Sequence, residues 1–196
     1  MNSTTWTRRW RRLSMAATVF LTLILSGGCA SLWRPVGGEL KTPGWSLSVP
    51  AGWMLFETGS YDMLSKDGPY LEYILVQETP LSQGFRFTRQ RLTADLLPHE
   101  MARIVIDNLS ADPQVSDFRL IDSAPAVVGG RPGFKLVYTY QDRYDVPMKT
   151  VYYGTVNATH FIQLRFTAAR RHYFAASLDD FQSLCQSFKL LAPASS

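Results

Sequence analysis

The sequence predicts an α/β domain of the α+β kind: an α/β/α sandwich around a central antiparallel sheet of about six to seven strands. Three observations carry this. Phe134 to Gln141, Pro147 to Val156 and Thr159 to Thr167 alternate like strands, and only Asp142-Arg143-Tyr144-Asp145 and Asn157-Ala158 separate them. Connections that short leave no room for crossover helices, so the three form an antiparallel meander. Several strands are apolar on both faces, and two amphipathic helical stretches are available to cover them, one per face.

Taken in order, Trp45, Leu47 and Val49 alternate with serines and predict a strand ended by Pro50-Ala51-Gly52. Trp53 to Glu57 and Tyr61 to Ser65 read as two further short strands, and Lys66-Asp67-Gly68-Pro69 as a turn. Tyr70 to Glu78 carries large apolar side chains on both faces and reads as a buried strand. A helix is expected at least from Pro98 to Leu109. Proline fits its first turn, and Leu97, Met101, Ile104, Val105 and Leu109 make its apolar face. Phe118 to Val128 is extended, and Gly129-Gly130-Arg131-Pro132-Gly133 turns the chain into the meander. A last helix from about Arg171 to Phe188 has Phe174, Leu178, Phe181, Cys185 and Phe188 spaced as one buried stripe.

Composition fixes the setting of this domain. The chain has 196 residues, 46% of them hydrophobic, and a formal net charge of +4. Arg8, Arg9, Arg11 and Arg12 are the only charged side chains before Cys29, so removing them from the 20 basic residues leaves 16 against 16 acidic ones. The apparent basicity is therefore not a nucleic-acid footprint. Residues 1–28 have the three-part layout of an export signal, a basic start followed by an apolar run from Leu13 to Leu25 that ends in small residues. Thirteen residues fall short of the roughly 20 that span a bilayer as a helix.

Leu25-Ser26-Gly27-Gly28-Cys29-Ala30-Ser31 resembles the lipobox of bacterial lipoproteins, with Ser26 where that family usually has leucine. The resemblance implies cleavage before Cys29 and acylation of its thiol. Two or more acyl chains, at about 0.8 kcal/mol per buried methylene, anchor a protein without a membrane span. Ala30 in place of aspartate implies the outer membrane, facing the periplasm. Residues 29–43, rich in proline and glycine, read as a flexible tether, 44–191 as the globular domain and 192–196 as a frayed tail.

Trp45-Ser46-Leu47-Ser48-Val49-Pro50-Ala51-Gly52-Trp53, the Val128-Gly129-Gly130 turn and the helix ending in Gln186-Ser187-Phe188 resemble the PsbP-like superfold. That group includes the PsbP subunit of photosystem II, the Ran-binding Mog proteins and many bacterial lipoproteins. The resemblance implies a non-catalytic domain that binds other proteins, and it carries no catalytic residues.

The sequence is poor in chemistry. His99-Glu100-Met101-Ala102-Arg103 approaches the H-E-x-x-H zinc motif, but Arg103 stands where the second ligand must be, so no metal or cofactor is expected. His160, in phase with Ile162, Leu164 and Phe166, reads as a structural histidine, and Cys185, on the helix stripe, as an inert buried thiol. Arg165, with Arg170, Arg171 and His172 beyond it, is the one candidate contact for an anion or an acidic partner; a solvated basic loop is the plainer reading. The expected function is that of an acyl-anchored envelope module that binds a protein or assists assembly. A small hydrophobic ligand or lipid held between sheet and helix is the alternative, and an enzyme pairing His160 or His172 with a carboxylate is the third reading.

Overall fold

The computed structural model describes residues 32–191; the expected export signal, Cys29 and the expected tail lie outside them. Nine strands and two helices follow one another as β1 (Arg34–Lys41), β2 (Trp45–Glu57), β3 (Asp62–Ser65), β4 (Glu72–Pro80), α1 (Pro98–Ser110), β5 (Ser116–Val128), β6 (Arg131–Gln141), β7 (Pro147–Val156), β8 (His160–Ala169), α2 (Tyr173–Ser187) and β9 (Lys189–Leu190). All pairings are antiparallel, in the spatial order β1-β2-β3-β4-β8-β7-β6-β5, with β9 added to β2. The expected meander is β6-β7-β8. Among the described residues no helix is long and apolar enough to cross a membrane.

The sheet is larger than the six to seven strands expected, and the excess has a physical origin at its first edge. Arg34–Lys41, expected as part of a flexible tether, is strand β1 and pairs with β2. A register shift between Val36 and Gly38 puts a bulge in the strand, which breaks the period-two pattern that would have revealed it. Leu40 still reaches the core. Pro50-Ala51-Gly52 does not end a strand either, because Gly52 takes a φ of +92° and the chain continues extended to Glu57. Gly129 and Gly130, at φ +57° and +83°, make the two-residue hairpin turn that residues with a Cβ adopt poorly.

Alternation along the strands divides the core into two layers. On one face Trp45, Leu47, Trp53, Leu55, Ile74, Val76, Leu164 and Phe166 pack under α2 through Phe174, Phe181 and Leu184. On the other, Phe134, Leu136, Tyr138, Tyr152 and Phe161 pack under α1 through Met101, Ala102, Val105 and Leu109. This is the expected α/β/α layering. The buried stripe of α2 differs from the expected one, since Ser177 and Leu184 are buried, while Leu178 and Cys185 lie partly exposed at its margin.

α1 contacts β5, β6 and β7. The side chains of β3, β4 and β8 on the same face thus extend past the helix, and the turn-rich segment 81–97 covers only one end of them through Phe85 and Leu92. An uncovered stretch of sheet results.

Candidate functional site

The uncovered stretch carries polar residues in the middle of an otherwise apolar sheet. On β8, Gln163, Arg165 and Thr167 share the face of Phe161, and strand register sets their neighbours. Gln163 lies opposite Gln77 of β4 and Gly154 of β7, Arg165 opposite Leu75 and Tyr152, and Thr167 opposite Tyr73 and Thr150. Gln163 Nε2 donates to Gln77 Oε1 at 2.7 Å, and the hydroxyls of Thr150 and Thr167 meet at 2.9 Å. A Cβ at Gly154 would collide with the rings of Phe134 and Phe161, so only glycine fits between these aromatic groups.

Arg165 is the exceptional member. Its guanidinium lies 5.7 Å from the Tyr73 ring centre, and its buried Nε has no partner. Tyr73, Tyr138, Tyr152 and Tyr140 surround it. None of the ion pairs among the described residues includes it. Burial works against its charge. A guanidinium stays protonated in any case. The phenols remain neutral: burial, above all, pushes Tyr138 up to about 12, and raises Tyr140 and Tyr152 as well. A full positive charge is therefore held among neutral rings without a counter-ion. Desolvation of that partly buried charge favours an arriving anion.

Two concavities meet at this side chain. A hollow of about 630 Å³ is walled by Tyr61, Met63, Tyr70, Tyr73, Tyr140 and Tyr144, with Arg165 in its lining. Tyr70 and Tyr144 stand 71% and 61% exposed on its rim. A cleft of about 400 Å³ lies under segment 81–97 and the C-terminal half of α1, and Arg165 is the one residue that lines both. On the opposite face a cavity of about 300 Å³ includes Tyr153 and Cys185 but no charged side chain.

The arrangement offers a cation together with aromatic surface for stacking. Its ionisable members are Arg143 and Arg165, which stay protonated, buried phenols held neutral, and Asp112 and Asp142 at the border of the hollow. His160 hydrogen-bonds the adjacent Thr159 hydroxyl at 2.9 Å, and His172 packs edge-on against Tyr173. Neither histidine is ion-paired with a carboxylate among the described residues. Glu100 reaches back to accept the Leu97 amide at 2.8 Å, the role of a helix first-turn acid. Burial pushes the Cys185 thiol up to about 12, away from the reactive thiolate.

The basic residues singled out in the sequence separate in space. Arg165 belongs to the sheet face, whereas Arg170, Arg171 and His172 form the turn after β8. Of these Arg170 lines a further cavity with Asp117 and Arg119. Cys29 lies outside the described residues. Sequence reasoning missed Gln77, Tyr73 and Tyr140 as neighbours of Arg165, because the β4–β8 pairing that brings Gln77 and Tyr73 spans some 90 residues and Tyr140 comes from β6, which does not pair with β8. The available signal was the polar Gln163, Arg165, Thr167 alternation inside an aromatic strand.

No family model and no curated protein matches this chain. Solved structures do. LpqN of Mycobacterium tuberculosis, described as involved in cell envelope biogenesis, superposes with a TM-score of 0.56 at 17% identity, over 82% of this chain and 91% of its own. Cyanobacterial PsbP (CyanoP) from Synechocystis aligns at 0.51 and 15% identity, covering 85% and 96%. The Ran-binding protein Mog1p of Saccharomyces cerevisiae aligns at 0.51 and 9% identity, covering 80% and 95%. The chain thus has the PsbP/Mog1-like fold, and identities this low transfer the fold alone.

Proposed function

We propose that this chain is an acyl-anchored module of the bacterial cell envelope that works by holding a protein partner, not by catalysis. The carrying observation is the tyrosine-walled hollow with a guanidinium lacking a counter-ion in its lining. Tyrosine, methionine and arginine in a concave, partly desolvated patch have the composition of interface hot spots. The likeness in fold to LpqN, itself tied to envelope biogenesis, supports the setting.

In this reading Cys29 carries the acyl chains, in the outer membrane facing the periplasm. Strand β1 begins five residues after Cys29, a reach of at most roughly 18 Å. The sheet then stays close to the lipid surface, and its partner is another component found there.

Two experiments test the reading. Labelled palmitate enters the protein in growing cells and is absent from the Cys29→Ala variant. Benzoylphenylalanine at Tyr70 or at Tyr144 yields the same discrete crosslinked species in intact cells, and at Gln182 on α2 it yields none. Failure to incorporate palmitate removes the anchor. Equal crosslinking from Gln182 removes the assignment of the binding face.

A further inference from the structure

The cleft under segment 81–97 differs from the hollow in its electrostatics. The hollow sets Arg143 and Arg165 against Asp112 and Asp142, whereas the cleft contains Arg86 and Arg165 and no carboxylate. Gln77 gives its carbonyl oxygen to Gln163, and Asn108 accepts the Phe87 amide at 3.0 Å, so each of these two has N–H donors left to offer, whereas Gln163 spends a donor and keeps its carbonyl oxygen. A wall of donors and cations without an acid selects an acceptor that carries negative charge. Phe85, Leu92, Val105, Leu109 and Phe161 supply an apolar side to the lining, and Thr79, Gln83 and Gln163 add further polar groups.

We propose that this cleft binds an amphiphilic carboxylate, its acid group on the Arg165 guanidinium with Arg86 nearby and its hydrocarbon chain on Phe85, Leu92, Val105 and Phe161. A neutral hydrocarbon leaves the buried charge unpaired, and a small inorganic anion leaves the apolar wall empty. One ligand satisfies both parts of the lining. The planar fork of arginine matches a carboxylate with two parallel hydrogen bonds. A volume of about 400 Å³ lies within the usual range for small-molecule sites. The site stands independently of the protein-binding hollow, although Arg165 borders both.

The probe is decanoate carrying ¹³C at the carboxyl carbon, titrated by NMR onto the full chain in phosphatidylcholine nanodiscs, with carbon-1-labelled decanol as the uncharged control. The expected result is a saturable bound-carboxylate resonance distinct from free and bilayer-dissolved acid, with decanol binding at least about tenfold more weakly, the scale of one charge-assisted bidentate contact. Arg165→Met weakens decanoate by a similar factor, and Arg165→Lys, which keeps the charge but not the fork, weakens it less. Arg86→Gln, at an exposed position that cannot unsettle the core, weakens it about threefold. Decanol binding as tightly as decanoate overturns the proposal, as does the absence of a saturable resonance. If no carboxylate binds, yet Arg165→Met abolishes the crosslink from Tyr70, the counter-charge is an acidic side chain of the protein partner, and the small-ligand site does not exist.

Discussion

Replacing Arg165 by methionine is expected to stabilise the ligand-free protein, contrary to the usual outcome of changing a half-buried residue in mid-sheet. Burying a guanidinium without a counter-ion costs several kcal/mol, even after relaxation. Against this stand one cation–π contact with Tyr73, worth about 0.5–2 kcal/mol, and the polar hydroxyls of the neighbouring tyrosines. The Nε contributes nothing, having no partner. Methionine keeps most of the side-chain volume, removes the charge and adapts to the aromatic wall. The balance favours methionine by about 1–2 kcal/mol, in line with replacements of buried ionic groups by apolar ones. For a domain of this size that raises Tm by roughly 2–8 °C. The assay is urea unfolding, followed by tryptophan fluorescence, of protein refolded free of small molecules. An unchanged m-value with a higher midpoint is the expected pattern. If Arg165→Met instead loses more than about 1 kcal/mol, the tyrosines satisfy the guanidinium fully, and the basis for an external anion is gone.

The remaining predictions concern the junction of α2 with the sheet. Trp53, 1% exposed, donates its indole N–H to Asp180 Oδ2 at 3.0 Å, and Lys66 reaches the same oxygen at 2.7 Å. Asp180→Ala leaves a buried donor unsatisfied and is expected to lower stability by about 2–3 kcal/mol in the same unfolding assay. Asp180→Asn keeps an acceptor for Trp53, gives up only the partly exposed ion pair and loses about 0.5–1 kcal/mol. Burial tends to raise the Asp180 pKa, but the bonds from Lys66 and Trp53 outweigh it, and the net shift is downward from 3.8. Its contribution is thus complete above pH 3.8 and lost as pH falls through the lower folded value, an acid-side loss that Asp180→Asn lacks. The bond to Asp180 raises the Lys66 pKa above 10.5, so that contribution is complete below pH 10.5 and disappears as pH climbs past the folded value. Tm measured against pH checks both limbs.

Much of this fold was legible because its central strands follow simple periods. The meander β6-β7-β8 is set by Asn157-Ala158 and the Asp142 turn, whose side-chain oxygens accept the amides that close the two loops. Both helices show their apolar faces at helical spacing. The first edge was not legible: the Gly37-Gly38 bulge hides β1, and Gly52 lets β2 run through a Pro-Ala-Gly sequence that otherwise reads as a stop. The site was legible in one residue. Arg165 stood out by sharing the face of Phe161 and Gln163 in strand phase. Its grouping with Arg170, Arg171 and His172 failed because a residue of β8 faces α1's side of the sheet, whereas the turn that follows is governed by the geometry of entry into α2. The cage around Arg165 comes from β4, β6 and β7, and pairing between distant strands leaves no mark at short range.

The central claim is that the uncovered stretch of sheet is the working surface. Hydroxyl-radical footprinting of the native protein, in intact cells and after purification, tests it most directly. The account predicts that Tyr70 and Tyr144 are oxidised severalfold less in cells than in isolation, while Ile121 and Val127 on the exposed edge strand β5 react equally in both. Equal oxidation of Tyr70 and Tyr144 in the two states, or protection confined to β5, would contradict it.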